Sequence, residues 1–235
     1  MKSPVRMALL ALFGLFVAAC GLPSERATET AVTRTFHWFR YVGGDDIRAN
    51  CGRDGRTRIR AVYNALWEEQ VRAYDISLAP DGTAAMTVRV ISGQGVVANF
   101  EISDVTDITG PWNAKVGQRV LTRDDTGELL GLMQQADAFG PPRAGQRLPD
   151  NDFWWTVASC RNGAWGFQAY HFPTDGFRNL RFAEKLFALD PVQVPVNRAR
   201  RLEPSEMRYD AIKGPQRGRG DRWQLVVDRD GLAAR

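Results

Sequence analysis

The chain has 235 residues, with 31 Lys+Arg against 27 Asp+Glu, 44% hydrophobic residues and 25% charged ones. This balance excludes a disordered, collagen-like or multispanning membrane protein. A net charge of +4 is too small to mark a dedicated polyanion binder, and the length suits one domain of about 200 residues or two small ones.

Lys2 and Arg6 precede an uncharged run from Met7 to Ala19. A positive start followed by so short an apolar stretch has the form of an export signal. As a helix the run reaches about 20 Å, short of the roughly 30 Å of a hydrocarbon core. It ends in Val17-Ala18-Ala19-Cys20-Gly21, which resembles the lipobox of bacterial lipoproteins. The resemblance implies a signal peptide over residues 1–19, cleavage before Cys20, diacylglycerol on the Cys20 sulfur and acylation of the new amino group. It is silent on the fold of the mature chain. Each buried CH₂ contributes about 0.8 kcal/mol, and more than one chain gives stable anchorage. The same resemblance, with Gly21 where inner-membrane lipoproteins usually carry aspartate, implies a periplasm-facing outer-membrane protein. Residues 20–35, polar and containing Pro and Thr, read as a tether, and residues 36–235 as the folded body.

Phe36 to Val42 is aromatic and β-branched and is closed by Gly43-Gly44-Asp45-Asp46, which predicts a strand and a turn. Thr57 to Leu78 mixes a helical stripe (Ile59, Val62, Tyr63, Leu66) with an extended run from Val71; the reading taken is two strands joined by a tight turn near Asn64. Ala84 to Ile91 alternates as a strand should, and Ser92-Gly93-Gln94-Gly95 predicts a return strand over Val96–Ile102. Leu121 to Phe139 is leucine-rich, with Thr126 as N-cap and Gly140-Pro141-Pro142 as stop, and predicts a helix. Phe153–Cys160 and Trp165–Phe172 flank Asn162-Gly163, the strongest short-range hairpin signal. A short helix over Phe177–Leu189, ended by Pro191, and a last strand at Trp223–Asp228 follow. Residues 197–222 between them carry eight basic and four acidic side chains and read as a solvated linker. Together these predict one α+β domain, a mostly antiparallel sheet with one or two packed helices.

With Cys20 lipidated, Cys51 and Cys160 remain in an exported chain, and an oxidising compartment predicts a disulfide between them. A metal site would need more ligands at short spacing than His37 and His171 supply. Gly93-Gln94-Gly95-Val96-Val97-Ala98 fits the dinucleotide fingerprint, but that fingerprint needs a helix where this sequence turns into a strand. The carboxylate pairs Asp45/Asp46, Glu68/Glu69, Asp124/Asp125 and Asp150/Asp152 sit in turns and helix starts rather than across a cleft. No Gly-x-Ser-x-Gly, His-Glu-x-x-His or P-loop motif is present, so no catalytic residue, metal or cofactor is assigned.

Seven tryptophans are the compositional peculiarity. Adjacent Trp154 and Trp155 on one strand must face opposite sides of a sheet. One is therefore expected in the core, and the other, with Trp165, Tyr170 and His171, on a binding surface. The function expected is a lipid-anchored cell-envelope protein, a non-enzymatic binding or assembly module. Its expected partners are membrane lipid through Cys20 and an envelope protein or polymer, not nucleic acid. A small periplasmic hydrolase and a carrier of an apolar ligand are the alternatives.

Overall fold

The computed structural model describes residues 38–53, 55–67, 69–92, 114–203 and 223–233. The lipobox, the Gly93–Ala98 motif, the return strand over Val96–Ile102 and most of the basic segment lie outside them. In chain order the described elements are helical residues 38–43, α1 (Asp45–Asn50), β1 (Arg58–Ala65), β2 (Gln70–Leu78), β3 (Ala84–Ser92), β4 (Lys115–Leu121), α2 (Arg123–Gln135), β5 (Arg147–Pro149), β6 (Phe153–Arg161), β7 (Ala164–His171), α3 (Asp175–Arg178), α4 (Arg181–Leu189), β8 (Gln224–Asp228) and β9 (Gly231–Ala233). The α+β fold predicted from the sequence is the fold observed.

Six strands form one antiparallel sheet in the order β4-β3-β2-β1-β6-β7, and β5-β8-β9 form a small second sheet. The period of two along each strand divides the core. On one face Tyr63, Tyr74 and Trp155 lie under Leu129 and Met133 of α2 and Phe182, Leu186 and Leu189 of α4. On the other, Val62, Ala73, Trp154 and Phe167 lie under Trp38, Phe39 and Val42 and under Leu148, Leu225 and Val227 of the small sheet. Being covered on both sides, β1 and β6 are buried along nearly their whole length instead of alternating.

The Asn162-Gly163 hairpin forms as predicted, with φ of 52° and 76° at the two turn residues. That pair of positive φ values matches the right-handed twist of the flanking strands. The two strands predicted over Thr57–Leu78 are β1 and β2, with Leu66 rather than Asn64 opening the turn at φ 62°.

The strand predicted at Phe36–Val42 is instead helical over residues 38–43. Trp38, Phe39 and Val42 present one helical face to the sheet and are all buried, so their apolarity reflects burial rather than extended backbone. Gly44 breaks this helical stretch from α1 at φ 69°, and a Cβ there would sit 2.4 Å from that of Ala158. Only glycine meets both demands.

The N-cap of helix α2 lies four residues before the Thr126 cap read from the sequence. Thr122 is the N-cap, its hydroxyl accepting from the Asp125 N–H at 3.1 Å, while Thr126 is buried inside the first turn. Thr122→Ala is expected to lower unfolding free energy by about 1 kcal/mol in urea denaturation; no change would show that the cap carries nothing. Lys185 of α4 reaches Asp125 at 2.9 Å and Glu128 at 2.6 Å. Its hydrogen bond, with that from Thr122, holds the Asp125 carboxyl below its usual range.

Candidate functional site

The aromatic surface predicted from Trp154, Trp155, Trp165, Tyr170 and His171 does not assemble. Trp154 and Trp155 do face opposite sides, but both sides are covered and the two rings are 0% and 1% exposed. Leaving such a ring in water would forgo about 4–6 kcal/mol of burial. Trp165 and Tyr170 are five residues apart on β7, an odd number, so they too lie on opposite faces. Tyr170 is buried against Phe182 and its hydroxyl donates to the Ala136 carbonyl at 2.8 Å; burial pushes its pKa up. Trp165, half-buried, stacks on Phe167.

Several of the remaining tryptophans bind the chain to itself. Trp67, in the β1–β2 turn, packs 5.2 Å from both Trp38 and Trp223, and Trp223 lies edge-on to Phe39 and Trp154. The Trp154 indole N–H donates to the Pro149 carbonyl at 2.7 Å. This cluster joins the first helical residues, the β1–β2 turn and the start of β8.

His171 is partly exposed, and its Nε2 lies 2.7 Å from Asp152 Oδ2. Among the described residues no hydroxyl or thiol side chain hydrogen-bonds to its ring, although Thr174 Oγ1 donates to its main-chain carbonyl. Among the described residues the pair has no aligned nucleophile. Asp150 departs from the solvated-turn reading, since it is buried, accepts from the Trp223 N–H through its carboxylate, and accepts from Trp67 N–H and Asn64 Nδ2 through its carbonyl. The described residues hold no group of three or more His, Cys, Asp or Glu side chains placed for a metal.

Cys51 and Cys160 are joined in a disulfide, with Cα atoms 5.4 Å apart. It fastens the end of α1 to β6, the first strand of the β6–β7 hairpin, as the sequence predicts.

Two ionic clusters were not foreseen. On the α-helical face, Arg72 of β2 is wholly buried and pairs with Asp190, just past α4. Arg72 also donates to the Gln70 side chain at 2.9 Å and to the Val194 carbonyl. Asp190 accepts from Tyr74 Oη at 3.1 Å and from the Val192 N–H at 2.7 Å. Burial, then the Asp190 charge, pushes the Tyr74 pKa up. Gln70 and Asn197 extend the cluster, so residues 190–197, which have no regular structure, are strapped across β1 and β2. On the opposite face, Arg60 bonds both oxygens of Asp46 at 2.7 and 3.1 Å, bonds Asp75 at 2.6 Å, and sits 3.8 Å over the Tyr41 ring. Burial opposes the Arg60 charge, but Asp75, Tyr41 and Asp46 outweigh it and raise its pKa. Tyr41 Oη and Arg89 close the cluster on Asp75 at 2.7 and 2.6 Å. Both clusters hold chain segments onto the sheet.

Among the described residues the large apolar side chains that stay exposed are on β4. Val116 and Val120 of this edge strand are 57% and 73% exposed, beyond the part of the sheet that the first helices and the small sheet cover. Compared with protein-family models and with curated proteins, the sequence matches none.

Proposed function

We propose that this chain is a lipid-anchored protein of the bacterial cell envelope, acylated at Cys20, whose body works as a binding or assembly module. The observation that carries the reading is the order of features at the start of the chain: Lys2 and Arg6, the apolar run, then Val17-Ala18-Ala19-Cys20. One structural fact supports it. Both other cysteines are consumed in a disulfide, a bond favoured in oxidising compartments, so Cys20 is left as the third. With Gly21 after the cysteine, the outer membrane is its expected address.

The module reading is supported by where the described aromatic and ionic side chains go: they tie elements together, and among the described residues no nucleophile is aligned with the His171–Asp152 pair. A hydrolase built on that pair is the second reading. Activity on ester, peptide or glycoside substrates that His171→Ala abolishes would establish it.

Cys20→Ala, expressed with its own signal in a bacterium that makes lipoproteins, is expected to lose acyl mass and leave the membrane pellet. Retention of the unacylated protein in that pellet would overturn the anchor.

A further inference from the structure

We infer that residues 190–197 fill, as a stand-in within the chain, a groove that takes an extended segment of another protein carrying a carboxylate followed by apolar side chains at every second position. This rests on the module reading and names its class of partner. The seat is one row of side chains on the sheet. Trp155, Tyr63 and Arg72 are register partners across β6, β1 and β2, with Gln70 and Tyr74 two residues to either side of Arg72. All five are buried, and the arginine stands where a core position is ordinarily apolar.

The segment on this row is held as a peptide ligand is held. Arg72 and Tyr74 Oη bind the Asp190 carboxylate. Farther along, Arg72 donates to the Val194 carbonyl, Gln70 Nε2 to that of Pro195 at 2.9 Å, and Tyr63 Oη to that of Asn197 at 2.9 Å. Gln70 Oε1 accepts from the Asn197 N–H at 3.0 Å. Side chains of the sheet thus read main-chain groups of the segment. Val192, Val194 and Val196 are partly buried against the core, whereas Gln193 and Pro195 are exposed. That is the alternation of an extended chain laid on a surface.

Its attachment suits replacement. Among the described residues its one main-chain to main-chain hydrogen bond is internal, the Val194 N–H donating to the Val192 carbonyl at 2.8 Å, so no ladder joins it to β1 or β2. Pro191 and Pro195 remove two donors and stiffen the backbone, which lowers the cost of ordering an extended ligand. Beyond Asn197 come exposed pairs, Arg198 with Glu184 and Arg200 with Glu69, of the kind that contribute little. A buried ion pair adds little over apolar groups of similar volume, and its best-attested use is to set register or to switch. Here Arg72 sets where the carboxylate of the occupant lies.

The test is fluorescence anisotropy with the full chain in detergent and two labelled, capped nine-residue peptides, one with the sequence of residues 189–197, the other with asparagine in place of its aspartate. Asp190→Asn, which removes the chain's own carboxylate, is expected to bind the acidic peptide, and the bound peptide to raise its unfolding transition toward that of the wild type. The asparagine peptide should bind about tenfold more weakly, one charge-assisted contact being lost. Asn197→Ala removes the side-chain bonds to the Ala65 carbonyl and Glu69 and leaves the ion pair intact, so it serves where Asp190→Asn does not fold. It should bind the acidic peptide more tightly than the wild type, whose own segment competes at an effective concentration on the order of millimolar. Arg72→Met/Asp190→Asn should bind neither peptide. No binding by either single variant, or equal binding of the two peptides, would overturn the proposal. So would a wild-type dimer that the acidic peptide dissociates, which would make the segment of a second copy the occupant. Acylation of Cys20, read by mass, is independent of every one of these outcomes.

Discussion

Asp190→Asn is expected to lower the unfolding free energy by about 3–5 kcal/mol, the usual cost of leaving one member of a buried ion pair uncompensated. The side chains of Arg72 and Asp190 are 0% and 3% exposed, so water cannot replace the lost charge. Asparagine keeps the shape of aspartate and an acceptor for the Val192 N–H, so the loss reports the missing charge. Arg72→Met/Asp190→Asn removes the orphaned cation as well and is expected to recover most of the loss. A buried pair can often be exchanged for apolar groups at little cost, whereas breaking it is expensive. Urea denaturation of the two variants decides the matter. A loss below about 1 kcal/mol in the single variant, the range of solvent-exposed pairs, would show that the strap over β1 and β2 is held by something else.

Opening the Cys51–Cys160 bridge is expected to have a comparable effect. The cysteines are 109 residues apart, and the chain-entropy model gives a loop of that length about 4–5 kcal/mol, of which measured bridges often deliver less. Alanine is the better replacement at Cys160, which is buried, because serine would add a hydroxyl in need of a partner. The loss should appear as an earlier unfolding transition for Cys51→Ala/Cys160→Ala, and for the wild type under reducing conditions. Equal midpoints with and without reductant would mean that the bridge does not constrain the unfolded chain.

Local signals in the sequence located much of the sheet. Asn162-Gly163 specified its own hairpin because a two-residue turn with two positive φ values accepts few other pairs. The alternation over Ala84–Ile91 specified β3 because that strand has one covered face and one partly open one. Where both faces are covered, alternation disappears and the reading weakens, which is why β1 and β2 looked half helical. The stretch containing Trp38, Phe39 and Val42 misled for a related reason: aromatic residues mark burial on a helix as well as on a strand. Strand β4 was missed because Lys115, Gln118 and Arg119 interrupt its apolar residues, as befits an edge, and Leu121 was absorbed into the following helix.

The candidate sites divide along the same line. The disulfide was legible because the number of cysteines and the compartment inferred from the lipobox left a single pairing. The aromatic surface failed because alternation correctly separated Trp154 from Trp155 but could not reveal that residues 38–43, α1 and the small sheet cover the second face. Arg72 and Asp190 are 118 positions apart, and nothing local marks either as buried. An arginine on a strand reads as solvent-facing until the segment that covers it is placed.

Acylation of Cys20 is tested most directly by intact mass spectrometry of the protein extracted from the membranes of cells that export it. The expected species begins at Cys20, carries diacylglycerol and an N-acyl chain, and is lighter by the two hydrogens of the Cys51–Cys160 bridge. A chain that still begins at Met1 and bears no acyl mass would contradict the anchor and the envelope address inferred from it.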